Sequence, residues 1–104
     1  MPKLAISVPH ALGQEEAIRR LEEAFRSATE TYRDQIHELD AQWNGNVMRY
    51  RFNAMGIAVS GSTTVEPSEV KVDANLPLMA VMFKGAIEKR LREELGKLLG
   101  AEKP

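Results

Sequence analysis

Between Val70 and Leu76 apolar and polar residues alternate without a break, and at Pro77 the rhythm changes. Val70, Val72, Ala74 and Leu76 fall on one side of an extended chain and Lys71, Asp73 and Asn75 on the other. That is the pattern of a strand with one buried face. Pro77 cannot donate to a sheet ladder. Beyond it, Met79, Met82, Phe83, Ala86, Ile87, Leu91, Leu95 and Leu98 recur with a helical period of about 3.6. The chain must therefore build a sheet and lay an amphipathic helix over it, and Gly100 is placed to end that helix.

The preceding segments supply the rest of the sheet. Leu4, Ile6 and Val8 alternate in a short first strand that Pro9 closes. Gly13 and the acids Glu15 and Glu16 open a helix, with negative charge where the helix dipole favours it. Its apolar stripe, Ala17, Ile18, Leu21, Ala24, Phe25, Ala28, Tyr32 and Ile36, is expected to continue to about residue 37. The opposite face carries Glu15/Arg19, Glu16/Arg20 and Glu22/Arg26, each an i,i+4 pair with the acid leading.

A meander follows. Leu39, Ala41 and Trp43 alternate up to Asn44-Gly45, a strong two-residue hairpin signal. Met48, Tyr50 and Phe52 alternate on the return strand, with Arg49 and Arg51 facing away, and Ile57 to Val65 forms the next strand. Glu66-Pro67-Ser68-Glu69 then turns into the strand at Val70. The predicted fold is α+β, in two layers and in the order β-α-β-β-β-α. Both helices lie on one face of a four-stranded, mainly antiparallel sheet. The other sheet face would present Gln42, Arg49, Arg51, Ser60, Ser62, Thr64, Lys71, Asp73 and Asn75 to water.

A chain of 104 residues suits one domain, residues 1–104, with 101–104 as a frayed tail. A net charge of -1 offers a polyanion no clustered basic excess, so nucleic acid is not an expected partner. The absence of cysteine excludes disulfides and thiolate chemistry and fits a reducing compartment. No signal peptide or membrane-spanning run is visible, and a cytoplasmic protein is the expectation. No phosphate loop, metal-ligand cluster or nucleophile motif appears, so neither a cofactor nor a catalytic set is predicted.

Several segments nevertheless match a known pattern in order along the chain. They are Pro9-His10-Ala11-Leu12-Gly13 before a Glu-Glu-Ala helix start, Trp43-Asn44-Gly45-Asn46, Phe52, and Gly56-Ile57-Ala58-Val59-Ser60-Gly61. Leu76-Pro77 and Phe83-Lys84-Gly85-Ala86-Ile87-Glu88 complete the set. In these the chain resembles the polyhydroxyalkanoic acid system protein family, small bacterial proteins linked to polyester storage granules. The resemblance implies a role at polyhydroxyalkanoate granules, regulating or decorating their surface. Granule surface or granule proteins would be its partners. It implies no catalytic activity and supplies no catalytic residues.

The residues themselves offer two candidate sites. At the start of the last helix, Leu78 and Val81 widen an apolar stripe that Met79, Met82 and Phe83 already fill. A widened stripe marks a docking or self-association patch, a homodimer included. Gly85, a helix-weakening residue, suggests a close approach there, and Trp43 is either core or a cap on that patch. On the wet sheet face, Arg49 and Arg51 beside Ser60 and Ser62 form a candidate anion or partner patch, since arginine suits carboxylate and phosphate. His10, at a strand-to-helix corner, is read as satisfying local backbone groups, and His37, Glu38 and Asp40 as surface. The expected function is a non-enzymatic accessory protein of polyhydroxyalkanoate storage. The alternative is a protein binding an acyl or hydroxyacyl group in an apolar pocket between sheet and last helix.

Overall fold

The computed structural model describes residues 3–54 and 56–100, without the Met79 side chain. The elements are β1 (Lys3–Pro9), α1 (Gln14–Thr31), β2 (Ile36–Asn44), β3 (Val47–Ala54), β4 (Ile57–Val65), β5 (Glu69–Asn75) and α2 (Lys84–Leu99). A 3-10 helix over Leu78–Phe83 precedes α2. The α+β architecture is as expected, but the sheet has five antiparallel strands rather than four, in the order β1-β5-β4-β3-β2. The turn at Glu66–Ser68, closed by the Glu66 N–H on the Glu69 carbonyl (2.8 Å), is where the alternation places it, and each of the five alternating segments, the short β1 included, takes its own place in the one sheet. Residues 101–104, expected as a tail, lie outside the described residues.

Alternation places Leu4, Ile6 and Val8 of β1 opposite Ala74, Val72 and Val70 of β5, and all six are buried. Leu95 and Leu99 of α2 close the core over them, with Ala17 of α1 and Val65 of β4. The β2–β3 side is different. Trp43, Tyr50, Phe52, Ile57 and Val59 share the inner face, yet each is only half-buried. The core is thus concentrated over β1 and β5.

α1 ends at Thr31, not near residue 37. The Tyr32 carbonyl accepts the N–H groups of Gln35 (2.9 Å) and Ile36 (3.0 Å), and Ile36 and His37 already pair in β2. Tyr32 and Ile36 fit the helical spacing only because β2 happens to begin with an apolar residue. The ladder shifts between His37 and Asp40, where Glu38 takes φ 54°. Glu38 and Asp40 are exposed, as expected, and Glu38 accepts a hydrogen bond from Asn53 (3.0 Å). The hairpin turn sits one residue later than Asn44-Gly45. Asn44 pairs with Val47, and Gly45 takes positive φ (65°) at the first turn position, as type II′ turns require.

Arginine side chains tie the helices down. Arg20 of α1 donates to the Leu98 carbonyl (2.9 Å), one of the orphan acceptors at the end of α2. Glu16 holds Arg19 (2.7 Å) and Arg20 (2.9 Å), and these hydrogen bonds, Arg19's the stronger, lower its carboxyl pKa to about 2. A depressed carboxyl stabilises the fold above its unfolded value of 4.5, and that contribution is lost as pH falls toward about 2. The melting temperature of the wild type is therefore expected to exceed that of Glu16→Gln at pH 6, with the gap closing on acidification. A gap independent of pH would exclude this coupling.

Candidate functional site

Of the sequence candidates, the segment after Pro77 departs most from expectation. Met82 and Phe83 are not inward. Leu78 is 76% exposed, Met82 79%, Phe83 59% and Val81 43%, whereas Ala80 is buried. The reason is local geometry. A 3-10 helix turns every three residues or so, and the Ala80 N–H closes on the Pro77 carbonyl (2.9 Å), which sends Ala80 rather than a large side chain to the core. Four large apolar side chains are thus exposed within six residues, an apolar lip just before α2. Several large apolar side chains exposed on one short segment mark a candidate interaction site.

Gly85, the second residue of α2, faces open space: a Cβ there would meet nothing within 4 Å. The close approach expected of it is absent. Trp43 packs against the main core, and it pairs with Met48 near the β2–β3 turn. The exposed lip follows Asn75, at the other end of β5 from the strands' turn at Glu66. Trp43 is accordingly a core residue and not a cap on the lip.

The close approach lies instead at Gly61, inside a strand. Gly61 of β4 stands between Tyr50 of β3 and Ala74 of β5. The Tyr50 ring crosses the bare glycine so that its hydroxyl donates to the Asp73 carbonyl (3.1 Å). Burial, with the Asp73 charge, pushes the Tyr50 phenol up to about 12. Its ring also stacks on Phe52, with centroids 6.2 Å apart. A glycine opposite a tyrosine was the available sequence signal, and it becomes specific only once the register is known.

His10 is buried at the strand-to-helix corner, as a residue serving the local backbone. Its Nε2–H donates to the Glu66 carbonyl (2.9 Å), and its Nδ1 accepts the Leu12 N–H (3.2 Å). This pairing fixes the neutral Nε2–H tautomer. Both nitrogens, like the Tyr50 hydroxyl, are engaged in holding the fold.

The four residues of the polar patch do come together. Arg49 pairs with Ser62 and Arg51 with Ser60, and β5 adds Asp73 and Asn75. With Lys3 they line an open groove of about 660 Å³ on the face away from the helices. A second hollow, of about 520 Å³, lies at the start of α1 along Leu12–Glu16 and Arg19. Among the described residues no group of three His, Cys, Asp or Glu could hold a metal ion. No helix of the described residues is long and apolar enough to cross a membrane.

Residues 4–99 match the family described as "Putative polyhydroxyalkanoic acid system protein", and the chain belongs to that family. None of the curated proteins and none of the solved structures matches it.

Proposed function

We propose that this member of the polyhydroxyalkanoic acid system proteins is a non-enzymatic accessory protein that docks on the storage granule through the apolar lip Leu78, Val81, Met82 and Phe83. The observation that carries this reading is the exposure of those four side chains on a segment whose small residue, Ala80, makes the core contact. The lip can enter an apolar interface without disturbing the fold, because none of the four belongs to the buried cluster. The sheet-to-α2 layer, by contrast, is filled by Leu4, Ile6, Val8, Leu95 and Leu99, and neither hollow lies there. That favours the accessory role over an acyl-binding pocket between the layers. Self-association through the lip, or along the edge strand β2, would belong to the same role.

Co-sedimentation with polyhydroxyalkanoate granules tests the reading. Folded wild-type protein is expected in the granule pellet, and Leu78→Glu/Val81→Glu in the supernatant with unchanged circular dichroism. Each exposed large apolar group that leaves water contributes about 1.5–3 kcal/mol at most, so two charges in the lip should weaken docking at least tenfold. Wild-type protein left in the supernatant would rule out direct docking. Sedimentation velocity on both variants reads self-association separately.

A further inference from the structure

The groove on the outer sheet face is built differently from an ordinary wet surface. Register aligns two rows of side chains across the strands. One row runs Arg49, Ser62, Asp73, and the other Arg51, Ser60, Asn75, Lys3. Between them runs the row Tyr50, Gly61, Ala74, whose side chains stand on the core face, so that the floor of the groove is backbone.

Two cations stand together at the β3 end of this groove, and Lys3 stands alone at the β1 end beyond Asn75. Arg49 has no carboxylate within 4.0 Å among the described residues, and Arg51 has only Asp40, at 3.7 Å. Both guanidiniums therefore retain donors on either side of the β3 floor. Ser60 and Ser62 of β4 stand one strand spacing away, about 4.8 Å, and Asp73 of β5 one spacing further. An anion is favoured at the β3 end and repelled at the Asp73 carboxylate, while a hydroxyl is welcome at β4. The run of cations that a nucleic-acid backbone requires is interrupted by Asp40 and Asp73.

We propose that this groove binds a short hydroxy acid, with its carboxylate held between Arg49 and Arg51 and its hydroxyl at Ser60 and Ser62. Guanidinium is the side chain best matched to a carboxylate, and the hydroxyls can donate or accept. The carboxylate could come from the free acid or from the carboxyl end of a polyester chain, which present the same chemistry to the arginines. The site shares no residue with the apolar lip, so it stands or falls independently of granule docking.

The test is a titration of 15N-labelled protein followed by amide shifts, with 3-hydroxybutyrate, its methyl ester, butyrate, succinate and inorganic phosphate as probes. Saturable shifts at residues 49–51 and 60–62 are expected with 3-hydroxybutyrate, in the millimolar range that an open site gives. Butyrate should bind several-fold more weakly and the ester not at all. Arg49→Gln/Arg51→Gln should weaken binding about tenfold or more, the loss expected when charge-assisted hydrogen bonds are removed, and its own spectrum checks the fold. Leu78→Glu/Val81→Glu should bind as the wild type does. A water-soluble oligomer of the acid that binds more tightly than the monomer assigns the chain end, and tighter binding of the monomer assigns the free acid. The proposal is overturned by any of three results: no saturation with either form, equal binding of the ester, or succinate or phosphate binding as tightly as the hydroxy acid.

Discussion

Gly61→Ala is expected to destabilise the protein by about 3–5 kcal/mol, enough to consume much of a marginal stability of about 5–15 kcal/mol. Gly61 does not lie at positive φ, so rules that ignore its neighbours give the opposite sign. Alanine would restrict the unfolded chain and suit a strand better, by a few tenths to about 1 kcal/mol. The neighbours decide. A Cβ at Gly61 would collide with the Asp73 carbonyl oxygen and sit 2.8 Å from the Ala74 Cα and 2.8 Å from the Tyr50 hydroxyl. The first two are backbone of β5 and cannot swing aside, so β4 and β5 must part, and the Tyr50 hydroxyl loses its seat on Asp73.

The comparison that isolates the cause is Gly61→Ala in a Tyr50→Phe background. If the hydroxyl were the obstacle, the second change would rescue the first; a backbone clash predicts little rescue. Gly85→Ala is the internal control. Its Cβ meets nothing and its φ is not positive, so stabilisation by about 0.5–1 kcal/mol is expected there. Urea midpoints of the wild type, Tyr50→Phe, Gly61→Ala, the double mutant and Gly85→Ala read all of this. An unchanged or raised midpoint for Gly61→Ala would dispose of the close approach.

The opposite signs expected at these two glycines show which features are legible in a sequence. Alternation in β1, β4 and β5 is read directly, because one buried face imposes a period of two on each strand. The grouping of Arg49, Arg51, Ser60 and Ser62 follows from the same parity in two strands joined by a short turn. The other wall of the groove does not follow. Asp73, Asn75 and Lys3 join it only because β5 lies between β1 and β4, an order that depends on long-range pairing. Leu78–Phe83 failed for another reason. Six consecutive apolar residues carry no periodicity, so nothing in them separates a 3-10 turn with Ala80 inward from an α-helix with Met82 and Phe83 inward. Gly85 drew attention as a helix glycine, whereas the crowded position was Gly61, where φ is unremarkable and only the neighbours across two ladders matter.

Unequal burial across the sheet leads to an expectation about where the stability resides. Leu4 of β1 is fully buried among Ile6, Val72, Ala74 and α2, so Leu4→Ala is expected to cost about 3–5 kcal/mol, the range for a core site that cannot collapse around the loss. Phe52 of β3 is the larger side chain and would ordinarily cost as much or more. It is only half-buried, however, and lies outside the main cluster, so Phe52→Ala should cost about 2 kcal/mol or less. The inversion of the usual order, leucine above phenylalanine, is the diagnostic result. It has a dynamic counterpart: amides of β2 and β3 should exchange through local opening well below the global unfolding free energy, while those of β1 and β5 require global unfolding. A Phe52→Ala loss equal to that of Leu4→Ala, with uniform exchange protection, would mean that the inner face over β2 and β3 is covered in solution. The most direct cover would be a second copy of the chain, and the loss at Phe52 would then depend on protein concentration.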